Sequence, residues 1–368
     1  MKEKIGIGFI GTGFTRKVQI PAFKMCENAE LVSVSSASLA NAESTAKEFN
    51  IRHFTDNWRE TVEHKEVDLV CITTPPKFHY EQTLYALENN KHILCEKPMA
   101  MNVAEAEKMV AAAKSKNLLA LIDHELRFQD GRQKAFQMLR DRAIGKIRHV
   151  RSVFRNPSRG DANIAWNWWS DKAQFGGALG AIGSHIIDSF NFFLDTNISS
   201  IFCQLNTHVK HRTAASNEIK DVTSDDEALL LLRFADSDLT EDATGTVEMS
   251  MVEFPDYQFY FEFCGTEGSL KIDYKGELFI AKDGNPYQEI DVKIGKGIEG
   301  LFDSGFPSGF TEFAPKIIEA IQNGKTEIAH AATFEDGLRV QKVLDAARES
   351  DENGSVVKIG IASGSEYL

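Results

Sequence analysis

The sequence is poor in cysteine, in proline and in long apolar runs. Its 368 residues include five cysteines and nine prolines. The odd number of cysteines and the lack of a C-x-x-C pair give neither a disulfide framework nor a zinc-binding pattern. No stretch reaches the roughly 18 continuous apolar residues of a membrane-spanning helix, and the N-terminal residues lack a signal-peptide pattern. We therefore expect a cytoplasmic protein without a bound metal and without a membrane partner.

Positive charge is also in deficit. Lys and Arg number 41 against 54 Asp and Glu, which gives a formal net charge of -13. Such a balance argues against a nucleic-acid or anionic-membrane partner, because no broad basic field would attract phosphate. A local basic pocket for one phosphate remains compatible with it. The length exceeds what one hydrophobic core usually supports, so we expect two domains.

The first third of the chain alternates short apolar strands with helices. Because the strands are continuously apolar, they indicate a parallel, doubly wound α/β sheet. The predicted strands are Ile5–Ile10, Glu30–Ser36, Val67–Thr73, His92–Cys95 and Leu118–Ile122. The predicted helices follow Gly13 up to Met25 and then span Ala40–Phe49, Phe78–Asn89 and Val103–Lys114.

The pattern changes after about residue 125, where strands follow one another with few helices between them. This indicates an α+β domain with a large, mostly antiparallel open sheet. We therefore predict domains over 1–125 and 126–368, with 208–225 as an irregular polar loop. The predicted strands are Ile147–Phe154, Ile201–Val209, Ala228–Phe234, Thr246–Met251 and Gln258–Cys264. The predicted helices are Gly180–Leu194, Thr311–Asn323 and Phe334–Glu349.

Gly11-Thr12-Gly13 directly follows the first strand and precedes a helix. In a dinucleotide-binding turn the first glycine permits the tight turn, and the second lets the backbone approach the pyrophosphate at the helix N-terminus. The third glycine of the usual fingerprint is replaced by Arg16, which is either a solvated helix residue or a phosphate contact. The same residues also fit a plain tight turn, but their place in a βαβ pattern favours a nucleotide site.

The second strand ends in Ser35-Ser36-Ala37-Ser38, where an NAD-preferring fold would carry Asp or Glu on the ribose 2′-hydroxyl. Small hydroxyl side chains leave room for a 2′-phosphate and can donate hydrogen bonds to it. This feature favours NADP slightly over NAD. An ordinary strand end with serines would look the same.

The order and spacing of several motifs resemble the glucose–fructose oxidoreductase, inositol dehydrogenase and rhizopine-catabolism family (Gfo/Idh/MocA). The resemblance covers about residues 5 to 359. Besides the N-terminal glycine turn, it rests on Thr73–His79 (TTPPKFH), Lys91–Met99 (KHILCEKPM), Leu126–Phe128, Ile144–Arg148, Gly176–Asp188 (GGALGAIGSHIID), Phe263–Leu270 (FCGTEGSL) and Phe334–Ala346.

The resemblance implies an N-terminal Rossmann domain for NAD or NADP and a C-terminal domain for substrate binding and oligomerisation. It further implies reversible oxidation of a sugar or cyclitol hydroxyl, and a homodimer or homotetramer formed through the C-terminal sheet. The residues it implies for cofactor binding are Gly11, Gly13, Phe14, Thr15, Arg16, Ser36, Thr73, Thr74, Pro75, His79, Glu96, Lys97 and Arg127.

Lys97 is the predicted centre of the chemistry. It lies at the carboxyl end of a strand, where open α/β sheets place ligands, and Pro98 restricts its backbone to extended conformations. An ammonium group can stabilise the negative charge that develops on a carbonyl oxygen during reduction, and it can donate the proton. Glu96 either contacts the cofactor or anchors the turn.

The Gly176–Asp188 segment supplies His185 as the second predicted catalytic residue, with Ser184 and Asp188 as predicted substrate contacts. His185 and Asp188 share a helix face, and a histidine there can relay a proton. Many family members carry an aspartate four residues before this histidine, where this chain has Ala181. Asp188, Glu125 and Asn167 are the candidates to replace it.

Three tryptophans lie within 166–169, and Trp168 is the one we expect to line the substrate site, because an indole can stack on a sugar ring. Domain-interface packing would also explain them. Arg127 either reaches the cofactor or pairs with a carboxylate.

Two other functions fit the same residues. Loss of the aspartate at Ala181 would suit a non-catalytic dinucleotide- or sugar-sensing regulator, although the retained Glu96-Lys97-Pro98 motif argues against one. The second alternative is an enzyme whose tightly bound cofactor is oxidised and reduced again within one active site.

Overall fold

The structure is a computed structural model, and it describes residues 3–254 and 256–360. The chain divides into two compact units, Met1–Asp130 with Ile294–Leu338, and Gly131–Lys293 with Arg339–Leu368. The predicted domain boundary at 125 lies close to the first crossing at Asp130. A single boundary does not separate the units, however, since residues 294–338 belong to the first. The last part of the predicted second domain, 361–368, lies outside the described residues, as do residues 1–2.

The first unit is built on a parallel sheet. Within the described residues it has six strands in the order β3-β2-β1-β4-β5-β6, which is the order of a Rossmann fold and confirms the predicted doubly wound sheet. The strands are β1 Ile5–Ile10, β2 Ala29–Ser35, β3 His53–Thr55, β4 Leu69–Ile72, β5 His92–Cys95 and β6 Ala120–Ile122.

Capping residues mark ends of two helices of this unit. Ser38 caps α2 by accepting from the Asn41 N–H, and Asn102 caps α5 by accepting from the Glu105 N–H. Asn50 ends α2 in the left-handed conformation, with φ 58°. The helices are α1 Ile20–Lys24, α2 Leu39–Phe49, α3 Trp58–Glu63, α4 His79–Glu88 and α5 Val103–Lys114, with a π-helical turn over Thr15–Gln19 before α1.

Residues 294–338 belong to this unit because α8, Phe306–Gln322, packs on the sheet core. Phe310 meets Phe23 edge to face with centroids 5.5 Å apart, and Phe313 stacks on Phe128 at 4.2 Å. Aromatic burial of this kind holds a returning segment firmly to its sheet. α9 spans Phe334–Asn353 and α6 spans Asp130–Arg140.

The second unit contains a mixed sheet. Among the described residues its nine strands follow the order β16-β15-β14-β13-β7-β12-β11-β8-β17. The β12–β7 pair is parallel and the other pairs are antiparallel, which confirms the predicted class. The strands are β7 Ile147–Arg155, β8 Ile198–Asn206, β11 Glu227–Phe234, β12 Thr240–Ser250, β13 Gln258–Gly265, β14 Ser269–Asp273, β15 Leu278–Ala281, β16 Gln288–Ile290 and β17 Val357–Lys358.

One helix covers the inner face of this sheet. All residues of α7, Ser184–Leu194, are buried. Phe190 packs on Phe261 and Phe193 on Phe263, with centroids 5.8 and 5.0 Å apart. The core of the second unit therefore lies between α7 and the sheet, and α7 is the segment that carries His185.

The prediction of an irregular loop over 208–225 is partly wrong. This segment contains a small hairpin of β9, His211–Thr213, and β10, Ile219–Asp221. Most of its side chains are exposed, so it has no apolar face that would have signalled strands. No helix in residues 3–254 and 256–360 has the length and apolar character to cross a membrane.

Candidate active site

The carboxyl ends of four parallel strands bring several predicted residues of the first unit, together with Asp123, to one sheet edge. Gly11 follows β1, Thr73 follows β4, Glu96 and Lys97 follow β5, and Asp123 follows β6. Since parallel strands end at the same edge, these positions are neighbours in the fold. This edge is the candidate site of the first unit.

The two glycines of the N-terminal turn differ in what surrounds them. Gly11 has φ +104°, and a Cβ there would lie 2.6 Å from Thr73 Oγ1, so only glycine fits. A Cβ on Gly13 would meet nothing within 4 Å. Packing within the unit therefore does not explain Gly13. Open space beside its backbone fits the close approach of a dinucleotide pyrophosphate.

Thr15 and Thr73 tie this turn to the end of β4. Their hydroxyl oxygens are 2.6 Å apart, and Thr73 Oγ1 donates to the Ile10 carbonyl oxygen at 3.0 Å. Because Thr73 uses its proton on Ile10, Thr15 is the donor of the shorter bond. Phe14 precedes the π-helical turn, and no side chain caps that start.

Arg16 and Ser36 lie at the two places where a 2′-phosphate would be recognised. The Arg16 Nε donates to Glu48 Oε2 at 2.5 Å, and both side chains are 42 % exposed. Ser36 Oγ accepts weakly from the Ser38 N–H at 3.4 Å. No carboxylate stands at the end of β2, as the sequence showed.

His79, Thr74 and Pro75 shape the loop after β4. The His79 ring is fully buried, with Nε2 2.8 Å from the Thr74 carbonyl oxygen and Nδ1 2.9 Å from that of Pro98. Burial lowers the pKa of His79 to about 4, against the two carbonyl contacts that raise it. Thr74 Oγ1 donates to Gln82 Oε1 at 2.7 Å, and Pro75 precedes a 3₁₀ turn. The buried ring therefore lies between the β4 loop and the Lys97-Pro98 segment, and in its neutral form it has one N–H to donate to one of the two carbonyl oxygens.

Lys97 and Pro98 are joined by a cis peptide bond, and Lys97 is half-buried directly after β5. Its neighbour Glu96 has a pKa raised by loss of water, an effect that the Lys97 ammonium opposes. Burial also raises the pKa of Asp123 well above its usual range, and Glu125 and Glu96 add to that rise. The half-buried Lys97 thus adjoins Glu96, which forms a group of carboxyls with Asp123 and Glu125.

Arg127 is buried in the 3₁₀ turn Glu125–Phe128. Its guanidinium donates to the His330 carbonyl oxygen at 3.3 Å and pairs with Asp336 at 3.6 Å. Arg127 was expected either to reach the cofactor or to pair with a carboxylate, and the structure places a carboxylate next to it. Contact with a cofactor stays a prediction.

The second unit holds the other predicted residues on α7. Ser184, His185 and Asp188 are all buried, and the described residues offer no hydrogen-bond partner to Ser184 Oγ. Ala181 lies in the π-helical turn Leu179–Gly183 that precedes them. An unpaired buried hydroxyl is unusual, and its place next to His185 suits a role in holding a ligand.

Asp225 anchors the start of this helical segment and was not predicted from the sequence. Its Oδ2 accepts from the Leu179 N–H at 2.7 Å, and its carbonyl oxygen accepts from the Ala178 N–H at 3.0 Å. A Cβ on Gly177 would lie 2.2 Å from Asp225 Oδ1. Burial raises the pKa of Asp225 to about 6, while the Leu179 N–H holds it down. The sequence feature that could have pointed to Asp225 is an Asp-Asp pair after a polar segment.

Trp168 and Asn167 lie away from α7 in sequence, near the β9–β10 hairpin. Asn167 Oδ1 accepts from the Trp169 N–H at 3.0 Å, and Trp168 and Trp169 have ring centroids 5.5 Å apart. Trp166 Nε1 donates to the Asp221 carbonyl oxygen at 2.9 Å. Asn167 therefore shapes the short 3₁₀ turn, and Trp168 in that turn is half-exposed.

The described residues form no group of three or more His, Cys, Asp or Glu side chains suited to hold a metal ion.

Comparison with known proteins gives the same assignment for both parts of the chain. Residues 5–124 match the Gfo/Idh/MocA model described as an oxidoreductase family with an NAD-binding Rossmann fold. Residues 132–271 match the C-terminal domain model of the same family.

Individual relatives align over nearly their whole length. Levoglucosan dehydrogenase of Pseudarthrobacter phenanthrenivorans is 27% identical, over 97% of this chain and 98% of its own. Glucose-6-phosphate 3-dehydrogenase of Bacillus subtilis is 26% identical, over 96% and 98%. A solved structure of levoglucosan dehydrogenase with NADH and L-sorbose superposes with a TM-score of 0.84, at 26% identity, over 97% of this chain and 99% of that one. The chain belongs to the Gfo/Idh/MocA family and is an NAD-binding oxidoreductase of the dehydrogenase type.

Proposed function

We propose that this protein transfers a hydride between a nicotinamide dinucleotide and a hydroxyl-bearing carbon of a sugar or cyclitol, or the matching ketone. The observation that carries the proposal is the position of Lys97, on the sheet edge that also holds the Gly11–Gly13 turn. Ligands of open α/β sheets bind at this edge. The bound dinucleotide supplies the hydride acceptor or donor, and the side chains of the chain handle the proton.

Lys97 acts on the reacting oxygen. During oxidation its amine takes the hydroxyl proton, and during reduction its ammonium stabilises the developing oxyanion and returns that proton. His185 forms a hydrogen bond with the same or the adjacent hydroxyl and assists the transfer. Ser184, Asp188 and Trp168 orient the sugar through hydrogen bonds and ring stacking. The unpaired Ser184 hydroxyl supports this assignment.

A panel of substrates tests the proposal. Reduction of NAD or NADP would be followed by absorbance with levoglucosan, glucose 6-phosphate, inositol and simple hexoses, and oxidation with keto-sugars such as L-sorbose. We expect turnover with at least one polyol and the reverse reaction with its ketone. Failure of the whole panel with both dinucleotides would contradict the sugar-type substrate.

For the cofactor, we propose that NADP binds slightly more tightly than NAD. Support comes from the small Ser36 side chain at the end of β2, which carries no negative charge against a 2′-phosphate. Fluorescence titration with NADPH and NADH gives the two dissociation constants. The matched variant Ser36→Asp should weaken NADPH much more than NADH, because the carboxylate repels the 2′-phosphate. Clear NADH preference in the natural protein would overturn the proposal.

We also propose a homodimer or homotetramer formed by the open face of the nine-stranded sheet. Leu229 and Leu231 point outward from β11 and are 40 % and 57 % exposed. Light scattering after gel filtration would give the mass. A monomer at micromolar concentration would contradict this proposal, and Leu231→Glu should dissociate the oligomer if this face forms the contact.

A further inference from the structure

Two carboxyl groups at the sheet edge are held by one amide. Gln19 Nε2 donates to Asp123 Oδ2 at 2.9 Å and lies 3.4 Å from Glu96 Oε1. Gln19 is fully buried in the turn that follows the glycines. The Glu96 and Asp123 carboxyls therefore lie side by side, one after β5 and one after β6.

The surroundings of Asp123 disfavour a charged carboxylate. Asp123 is fully buried, and its Oδ1 has no hydrogen-bond partner among the described residues. An ionised oxygen without a donor in a dry site is costly, and a proton on the carboxyl removes most of that cost. Two adjacent carboxyls commonly avoid the cost of a second buried negative charge by holding one proton between them.

Charged and titratable groups from several segments act on the pair. Lys97 lies next to Glu96 in the chain, and Glu125 adds negative charge from the following turn. The thiols of Cys71 and Cys95 also lie near, and burial raises the pKa of both, so they stay neutral. Lys97 therefore places a positive charge next to Glu96 in the pair.

We propose that Asp123 and Glu96 share a single proton at neutral pH and together form the acidic partner of Lys97. The inference rests on the function proposed above. The pair carries one negative charge beside Lys97. When Lys97 takes the hydroxyl proton of the substrate, that charge stabilises the resulting ammonium, and the shared proton remains with the pair. Asp123 and Glu96 are thus positioning residues that act through Lys97.

Amide substitutions test the sharing by kinetics. In Asp123→Asn or Glu96→Gln the amide replaces the protonated partner, and one negative charge survives on the other residue. We expect each single variant to lower kcat by about tenfold or less, whereas the double variant loses the charge and falls by at least about a thousandfold. If both carboxyls were ionised, the fold-reduction in kcat of the double variant would equal the product of the two single-variant reductions. This result would overturn the proposal.

Asp68→Asn is the matched control. Asp68 accepts from the Gly6 N–H at the opposite end of the same sheet. The pH profile of kcat for Asp68→Asn should follow that of the natural enzyme. Both single variants of the pair should lack one step of this profile, that is, one pH-dependent change in kcat. A step that persists in both pair variants would also contradict the proposal.

Infrared difference spectra give a readout that needs no substrate. At pH 7 the natural protein should show the carbonyl stretch of a protonated carboxyl that is lost in both Asp123→Asn and Glu96→Gln. Absence of that band in the natural protein, or its persistence in either variant, would overturn the shared proton. Because this measurement does not depend on turnover, it separates failure of the inference from failure of the proposed function.

Discussion

The Nδ1 atom of His79 lies 2.9 Å from the carbonyl oxygen of Pro98, the residue that follows Lys97. The other ring nitrogen lies 2.8 Å from the Thr74 carbonyl oxygen, so one imidazole packs between two loops of the candidate site. His79→Ala removes the buried ring that contacts both carbonyls. We expect a loss of about 2–4 kcal/mol in the free energy of unfolding and a lower kcat, because Lys97 loses its support.

His92 provides the control for this prediction. It lies at the start of β5, where its Nδ1 accepts from the Leu119 N–H at 3.0 Å, away from the carboxyl edge. His92→Ala should destabilise the protein but leave kcat near that of the natural enzyme. Urea unfolding and steady-state kinetics measure both quantities. Equal effects of the two substitutions on kcat would contradict a positioning role for His79.

The same residue gives a pH dependence. The pKa of His79 is lowered from 6.5 to about 4 in the folded protein. Its contribution to stability is therefore present above pH 6.5 and is lost as the pH falls towards 4, where the unfolded state binds the extra proton. The natural protein should lose up to about 3 kcal/mol of unfolding free energy over this range through His79. The difference in stability between the natural protein and His79→Ala should shrink accordingly on acidification. A stability difference between the two proteins that stays constant with pH would contradict this prediction.

Gly13→Ala separates nucleotide binding from folding. Its Cβ would point into open space, so we expect the free energy of unfolding to change by less than about 0.5 kcal/mol. A dinucleotide lying against the backbone would collide with that methyl group, and the dissociation constant of NADH or NADPH should rise by about tenfold or more. Thermal unfolding and fluorescence titration give the two numbers. Unchanged affinity would place the pyrophosphate elsewhere.

Much of the fold could be predicted because buried parallel strands are continuous apolar runs. The predicted bounds of β5 and α5 coincide with the observed ones. β3 was not predicted because it is a three-residue edge strand with only Thr55 buried. α6 was missed because it is strongly polar, and its buried Arg132 gives no apolar signal.

The candidate site was predictable only where motifs are local. Gly11, Lys97 and His185 stand in recognisable segments, whereas the carboxyl cluster joins residues far apart in sequence. Gln19 and Asp123 are separated by 104 positions, and Gln19 and Glu96 by 77. Neighbours that are created by strand order leave no local pattern, and therefore Gln19 and Asp123 were not singled out from the sequence.

Asp225 gives a second pH dependence, of opposite sign to that of His79. Its pKa is raised from 3.8 to about 6, mainly by burial. The stability it contributes is thus present below pH 4 and is lost as the pH rises through 6. Asp225→Asn cannot ionise but keeps an acceptor for the Leu179 N–H. Relative to the natural protein, this variant should gain up to about 3 kcal/mol between pH 4 and pH 7 in urea unfolding. A difference that does not vary with pH would rule this out.

Lys97→Ala tests the central claim most directly. Turnover of the best substrate and the dissociation constant of NADPH would be measured on the same preparation. We predict that kcat falls by about a thousandfold, within the range for loss of a general acid–base group, while dinucleotide binding survives. Turnover close to that of the natural enzyme would contradict the assignment of Lys97 as the residue that handles the proton.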